Sequence, residues 1–238
     1  MIYKTVSHTE SQVGKYIDIN GDGIPEGVIF ADLAVGGKGQ YGSENSYEIP
    51  IIKENLKDYI IVGEYENIIN GKQEMLSPTL EGNDRFYVMD LSSISIKDYV
   101  GLNFFLYFNA TNLNEVLTSI HFGTGKQNTN KLFQVWKDEK YGEQDHRDLW
   151  NYIQDKVNDG WFIPSFKEWV VFFAELNISW LNYKERGIQY LCWSSSQNLA
   201  TSNLNKSNIK MIIPAMRGLQ NKSIGINHGL PLRLARTF

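Results

Sequence analysis

Five oxygen donors within nine residues are the densest chemistry in this chain. Asp18, Asn20, Asp22 and Glu26 stand at positions 1, 3, 5 and 9 of one short run. Gly23 holds position 6, and the carbonyl of Ile24 is available at position 7. That spacing suits a loop wrapped around calcium, a hard cation that collects six to eight oxygens. An EF-hand adds a bidentate glutamate at position 12, and here that residue is Ile29. The closer match is a short calcium loop joining two strands. Asn20-Gly21 and Asp22-Gly23 are also turn formers in their own right, so a metal-free hairpin turn accounts for the same residues.

Other residues with chemical potential fall short of a motif. Gly123-Thr124-Gly125-Lys126 lacks the glycine five residues upstream and the Ser or Thr downstream that a phosphate-binding loop needs; Ile120 and Gln127 stand there. A glycine turn leading into a helix explains it. Ser194, Ser195 and Ser196 sit in no G-x-S-x-G elbow, and His8, His121, His146 and His228 show no H-E-x-x-H spacing. The serines are expected to satisfy backbone groups in an irregular turn behind Trp193. Cys192, the only cysteine, excludes an internal disulfide and is expected in the core.

Charge separates the two ends of the chain. After Glu185 there is no acidic residue, but there are seven basic ones: Arg186, Lys206, Lys210, Arg217, Lys222, Arg233 and Arg236. Removing these from totals of 23 basic and 27 acidic leaves 16 against 27, so the first part stands at −11 and the tail at +7. A tail of this kind is a candidate phosphate footprint. The net charge of −4 and the scattering of the basic residues argue against nucleic acid as the partner. Arg233 is instead expected to pair with a carboxylate of the acidic part.

The elements that must position these residues follow from pattern. A chain of 238 residues, 42% hydrophobic, can bury one sizeable core or at most two small ones, and a single domain over 1–238 is expected. No apolar run approaches the ~20 residues of a membrane span. Met1-Ile2-Tyr3-Lys4 lacks the apolar region of a signal peptide. Three settings remain open: an intracellular protein, a virion component, or a module of a longer exported chain. Residues 1–127 read as strand-rich, with strands at Gly27 to Leu33, Tyr59 to Val62, Arg85 to Leu91 and Leu102 to Phe108. The glycine-rich run Gly36 to Gly42 is expected as a mobile surface loop.

Residues 128–180 read as helical. Leu132, Val135 and Trp136 recur at helical spacing, with Gly142 as a stop; Asp145 can cap a second helix carrying Leu149, Ile153 and Val157, ended by Gly160. Ser165 and Glu168 have capping-box spacing ahead of a third helix, whose one face carries Trp169, Phe172, Phe173 and Leu176. All six tryptophans lie in the second half, which is therefore expected to form the core. Residues 187–238 return to strands, with Ile209, Met211 and Ile213 forming one row and Leu230, Leu232 and Leu234 another. Strands, then helices, then strands make an α+β fold, with about three helices flanked by short antiparallel strands.

The order of three segments is distinctive. They are Gly160-Trp161-Phe162-Ile163-Pro164-Ser165-Phe166-Lys167-Glu168-Trp169, then Cys192-Trp193-Ser194-Ser195-Ser196-Gln197, then Leu232-Arg233-Leu234. In this order the chain resembles C-type-lectin-fold domains of the formylglycine-generating-enzyme-like class. Within that class it is similar to variable proteins of diversity-generating retroelements from bacteria or phage. Asp18 to Leu33, Arg85 to Asp90 and Phe122 to Thr129 also look like parts of that family. The tail departs from it in having no Trp after Trp193, where relatives place an Ala-Trp pair. The enzymes of the class work with two cysteines, so their activity is not carried over.

The resemblance implies a lectin-like scaffold at a cell surface or virion, with a C-terminal segment rewritten at adenines. Asn-rich positions are what adenine-rich codons leave behind. The expected display surface comprises Asn198, Thr201, Asn203, Asn205, Asn208, Lys210, Met216, Arg217, Gln220, Asn221, Ile226, Asn227 and His228, which offer adaptable hydrogen bonds and two apolar contacts. The expected function is non-catalytic recognition of a cell-surface protein or glycan, with calcium on the Asp18–Glu26 loop as the candidate ion. Two alternatives stand beside it: an enzyme on the same scaffold, which would need converging ionisable side chains, and a structural subunit of a surface or virion assembly.

Overall fold

In a computed structural model, the protein is described over residues 4–79, 81–94, 118–137, 149–190, 192–197, 209–216, 218–224 and 231–238. The α+β reading holds. Eleven strands and three helices are seen among these residues. The expected strand at Leu102 to Phe108, the stop at Gly142 and the cap at Asp145 lie outside the described residues.

Seven strands precede the helices: β1 (Tyr16–Ile17), β2 (Gly27–Asp32), β3 (Gly37–Tyr41), β4 (Asn45–Ile49), β5 (Tyr59–Asn67), β6 (Gly71–Pro78) and β7 (Phe86–Asp90). The helices are α1 (Gly125–Lys137), α2 (Leu149–Asn158) and α3 (Phe166–Glu175). Four strands follow: β8 (Cys192–Gln197), β9 (Ile209–Ala215), β10 (Gly218–Ile224) and β11 (Ala235–Thr237). The main sheet has the order β11-β7-β2-β1-β6-β5, and β8, β9 and β10 form a separate three-stranded sheet. Pairing is antiparallel except between β1 and β6, which run parallel.

The centre of the main sheet is buried on both faces, and its period-2 alternation shows it. Val28 and Phe30 of β2 join one core cluster and Ile29 the other; Tyr16 and Ile17 of β1, and Met75 and Leu76 of β6, divide in the same way. A register shift between Ile29 and Ala31 then keeps Ala31 in the same cluster as Phe30.

The larger cluster joins these first-half side chains to Phe162, Trp169, Phe172 and Phe173. The core is thus shared between the halves rather than built from the second half alone. Trp180 is outside it, 40% exposed. Helix α3 also differs from expectation. Beyond one apolar face, Val170 and Val171 are fully buried, because β2, β3 and β4 pack on the helix from one part of the chain and β8 and β9 from another.

The Gly36–Gly42 run is ordered, contrary to the loop expectation. Gly37–Tyr41 pairs as β3 with Asn45–Ile49. A Cβ on Gly39 would lie 2.5 Å from the Tyr47 hydroxyl, so the glycine lets that ring cross the neighbouring strand. Tyr47 then donates to Glu175 Oε1 at 2.8 Å, and Tyr41 donates to the Ile178 carbonyl at 2.6 Å. These bonds tie the hairpin to the end of α3 and to the segment just after it.

One carboxylate organises two helix starts. Glu168 Oε2 accepts from Ser165 N at 2.7 Å, closing the expected capping box of α3. Its Oε1 accepts from Gly123 N and Gly125 N, both at 3.1 Å, at the start of α1. The Gly123–Lys126 run is therefore the expected turn into a helix, and α1 begins three residues before Asn128.

Candidate functional site

The Asp18–Glu26 loop joins β1 to β2 and closes on its own backbone. Asp18, 1% exposed, accepts from Gly21 N at 2.7 Å and Gly23 N at 2.9 Å. Asn20 accepts from Asp22 N, Asp22 from Ile24 N, and Glu26 from Ile19 N. Ile29 is fully buried in β2, so nothing stands at the twelfth ligand position of an EF-hand. No group of three His, Cys, Asp or Glu side chains is placed to hold a metal among the described residues. In a calcium-free buffer, Asp18→Ala should cost about 2–3 kcal/mol, because two backbone N–H groups lose a charged acceptor. Urea unfolding with EDTA present checks this, and a loss below about 0.5 kcal/mol would remove that structural role.

The three serines after Trp193 do satisfy other groups, but from a strand rather than a turn. Ser196 Oγ accepts from Phe166 N at 2.9 Å and donates to the Ser119 carbonyl at 3.0 Å. Ser195 Oγ accepts from Asn128 Nδ2 at 3.2 Å. The β8–β9 register shifts between Trp193 and Gln197, where the Ser195 and Ser196 hydroxyls meet the starts of α1 and α3 and the Ser194 hydroxyl accepts from Ser196 N. Cys192 is buried as expected, and burial pushes its thiol up to about 12, which makes it a poor nucleophile.

Three of the tail's basic residues are engaged by other parts of the fold. Arg186 donates to the Ile69 carbonyl at 2.7 Å, and Arg236 meets Asp159 at 2.6 Å. Arg233 is 2% exposed, and burial pushes its pKa down. Its donors meet Ser93 Oγ, the Asp90 carbonyl and the Gly187 carbonyl rather than the expected carboxylate. The segment Leu232–Ala235 therefore does not alternate in and out: Leu232, Arg233, Leu234 and Ala235 are all buried. The last strand, β11, pairs with β7 in the main sheet, away from the three-stranded sheet.

Among the expected display residues, Asn198, Thr201, Asn203, Asn205, Asn208, Arg217, Ile226, Asn227 and His228 lie outside the described residues. The other four are on the β9–β10 hairpin. Met216, in its turn, is 77% exposed, and Gln220 is half-buried. Lys210 and Asn221 occupy the register row of Pro214 and Leu219, both of which are buried, while Gln220 falls in the alternate row.

Met216 and Gln220 open onto a groove of ≈ 550 Å³ whose opposite wall comes from the turns after α3. Trp180, Leu181, Tyr183, Lys184, Glu185 and Tyr190 form that wall. Leu181 is 72% and Tyr190 54% exposed. Thus four of the eight large hydrophobic side chains exposed among the described residues gather here. Surface hydrophobics scattered singly are ordinary, whereas a gathered group is a candidate interaction surface. The wall residues were missed in the sequence because they carry no period. A cue was present: Trp180-Leu181-Asn182-Tyr183 puts large apolar side chains in a segment with neither helical nor strand alternation.

No helix among the described residues is long and apolar enough to cross a membrane. Comparison of the chain with family models, curated proteins and solved structures found no match in any of the three.

Proposed function

We propose that this protein is a non-catalytic recognition module that binds its partner at the groove between the Trp180–Tyr190 segment and the β9–β10 hairpin. What carries the reading is the meeting of two independent features there. The hairpin holds tail positions expected to face a partner, and the opposite wall exposes Trp, Leu and Tyr side chains. Exposed aromatic and Met side chains are enriched at protein interfaces and supply much contact area at low entropic cost. The partner on this reading is a cell-surface protein or glycan, and the setting a cell surface or virion.

The scaffold is of the C-type-lectin type in the formylglycine-generating-enzyme-like class, as a variable protein of a diversity-generating retroelement. Its support is the order of the Gly160–Trp169, Cys192–Gln197 and Leu232–Leu234 segments. The buried Arg233, the serine contacts and the shared Glu168 cap give each segment a structural task in one core. Calcium on the Asp18–Glu26 loop belongs to the same reading as a stabilising ion. The expected result is a calcium heat by isothermal titration and a higher melting temperature; the absence of both removes the ion.

Two measurements test the function. Leu181→Ala, Tyr190→Ala, Met216→Ala and Gln220→Ala combined should leave cooperative unfolding intact, with each change within about 0.5 kcal/mol. Loss of the folded state would place these residues in the core and end the assignment. The DNA beside the gene should contain a near-copy of the tail-coding segment, differing at adenines, next to a reverse transcriptase. Without it the protein remains a recognition module, but not a diversified one.

A further inference from the structure

The groove's lining is specific enough to name a ligand chemistry. Three aromatic residues, Trp180, Tyr183 and Tyr190, line it together with one carboxylate, Glu185. The rings of Tyr183 and Tyr190 lie 6.0 Å apart at 42°, with Tyr183 buried beneath the exposed Tyr190. Aromatic faces are the negative ends of a quadrupole and attract cations, most strongly where the cation is weakly hydrated. The chain's own ammonium already makes this contact: Lys184 Nζ sits 5.9 Å from the Tyr183 ring centroid, over its face. A lysine ammonium is strongly hydrated. A quaternary ammonium has no N–H donors, so it is better matched to ring faces and methyl-sized apolar neighbours such as Met216 and Leu181.

We infer that this groove binds a trimethylammonium group of the choline type, held by the Trp180, Tyr183 and Tyr190 rings with Glu185 as counter-ion. The inference rests on the recognition reading only in placing the ligand at the same groove. Lys184 has a definite role in it, as an internal cation that competes for Tyr183 and repels the ligand.

Isothermal titration of choline into the full chain tests the proposal, with 3,3-dimethylbutan-1-ol as the neutral carbon isostere. Choline should saturate the groove, and the isostere should bind about tenfold more weakly. Trp180→Ala and Tyr190→Ala should each abolish choline binding. Glu185→Gln should weaken it about threefold, and Lys184→Met should tighten it by a similar factor. Glu185 and Lys184 are exposed, so these two variants keep the test independent of folding. Equal binding of choline and its isostere, no choline binding at all, or wild-type affinity in the two aromatic variants would each overturn the proposal. None of those outcomes would touch the recognition reading, which stands or falls on the alanine set above. Co-sedimentation with phosphatidylcholine but not phosphatidylglycerol vesicles would assign a membrane headgroup as the source. Binding of free choline without vesicle binding would assign a small solute.

Discussion

Asp32→Ala should destabilise the protein by about 3–5 kcal/mol, the cost of leaving a buried charge without its partner. Arg85 and Asp32 are both fully buried, and the pair is bidentate: Nε meets Oδ1 and Nη2 meets Oδ2, each at 2.9 Å. Asp32 also accepts from Gln12 N and Ala34 N. Arg85 reaches the Ser7 carbonyl through Nη2, and its backbone N–H donates to the Phe238 carbonyl. Residues near both ends of the chain are therefore fastened at one position. For a chain of this size, the loss corresponds to a fall in melting temperature of roughly 10 °C. Arg85→Lys should also be damaging, because an ammonium keeps the charge but lacks the planar fork. Chemical denaturation checks both; losses under about 1 kcal/mol would show that the pair is not a structural hub.

Glu168→Gln should cost about 2–4 kcal/mol through donor clashes at two helix starts. Gly123 N and Gly125 N point at one carboxylate oxygen, and Ser165 N points at the other. An amide must place its NH2 against one of these donors whichever way it is turned. Gly125→Ala should be nearly as harmful, since its Cβ would lie 2.2 Å from Glu168 Oε2 and 2.9 Å from the Phe162 ring. Glu168 has a pH signature as well. Burial pushes its carboxyl up to about 7, against the lowering effect of the Ser165, Gly125 and Gly123 donors. A folded pKa above the unfolded value means that the folded state binds more protons between the two. Its contribution to stability is complete below pH about 4.5 and is lost as pH rises to about 7. Wild-type stability relative to Glu168→Gln should therefore decline across that window, by at most about 1.4 kcal/mol per pH unit. A difference that stays flat from pH 4.5 to 7 would contradict the raised value.

Local chemistry was legible wherever neighbours in sequence are also partners in space. The Ser165–Glu168 cap, the stripe of α3 and the Asp18–Gly23 turn involve residues a few positions apart, and all three are present. The β3 strand was not legible, because glycine content suggests freedom. Its order comes from pairing with β4, whose Tyr47 crosses Gly39, and from Glu175 and Ile178, which meet Tyr47 and Tyr41 from far along the chain. Arg85 and Asp32 are 53 positions apart, and nothing near either residue marks the other. The charge of the tail misled in a related way. Arg186, Arg233 and Arg236 look like a free basic strip, yet each is committed to carbonyls, a hydroxyl or a carboxylate elsewhere in the fold.

The candidate site divides along the same line. Met216 and Gln220 could be picked out from the sequence as tail positions suited to a partner. Trp180, Leu181 and Tyr190 could not, because exposure is a property of what packs around a side chain and aromatic residues are ordinarily core. By itself the sequence determined the α+β class, the three helices and the order of the segments on which the family resemblance rests, since these depend on periodicity and short-range bonds. Only the tertiary structure decided that one carboxylate starts two helices, that Arg85 fastens Ser7 with its side chain and Phe238 with its backbone, and that the post-α3 turns stand opposite the β9–β10 hairpin. Those outcomes depend on contacts between residues far apart in the chain, which local pattern does not encode.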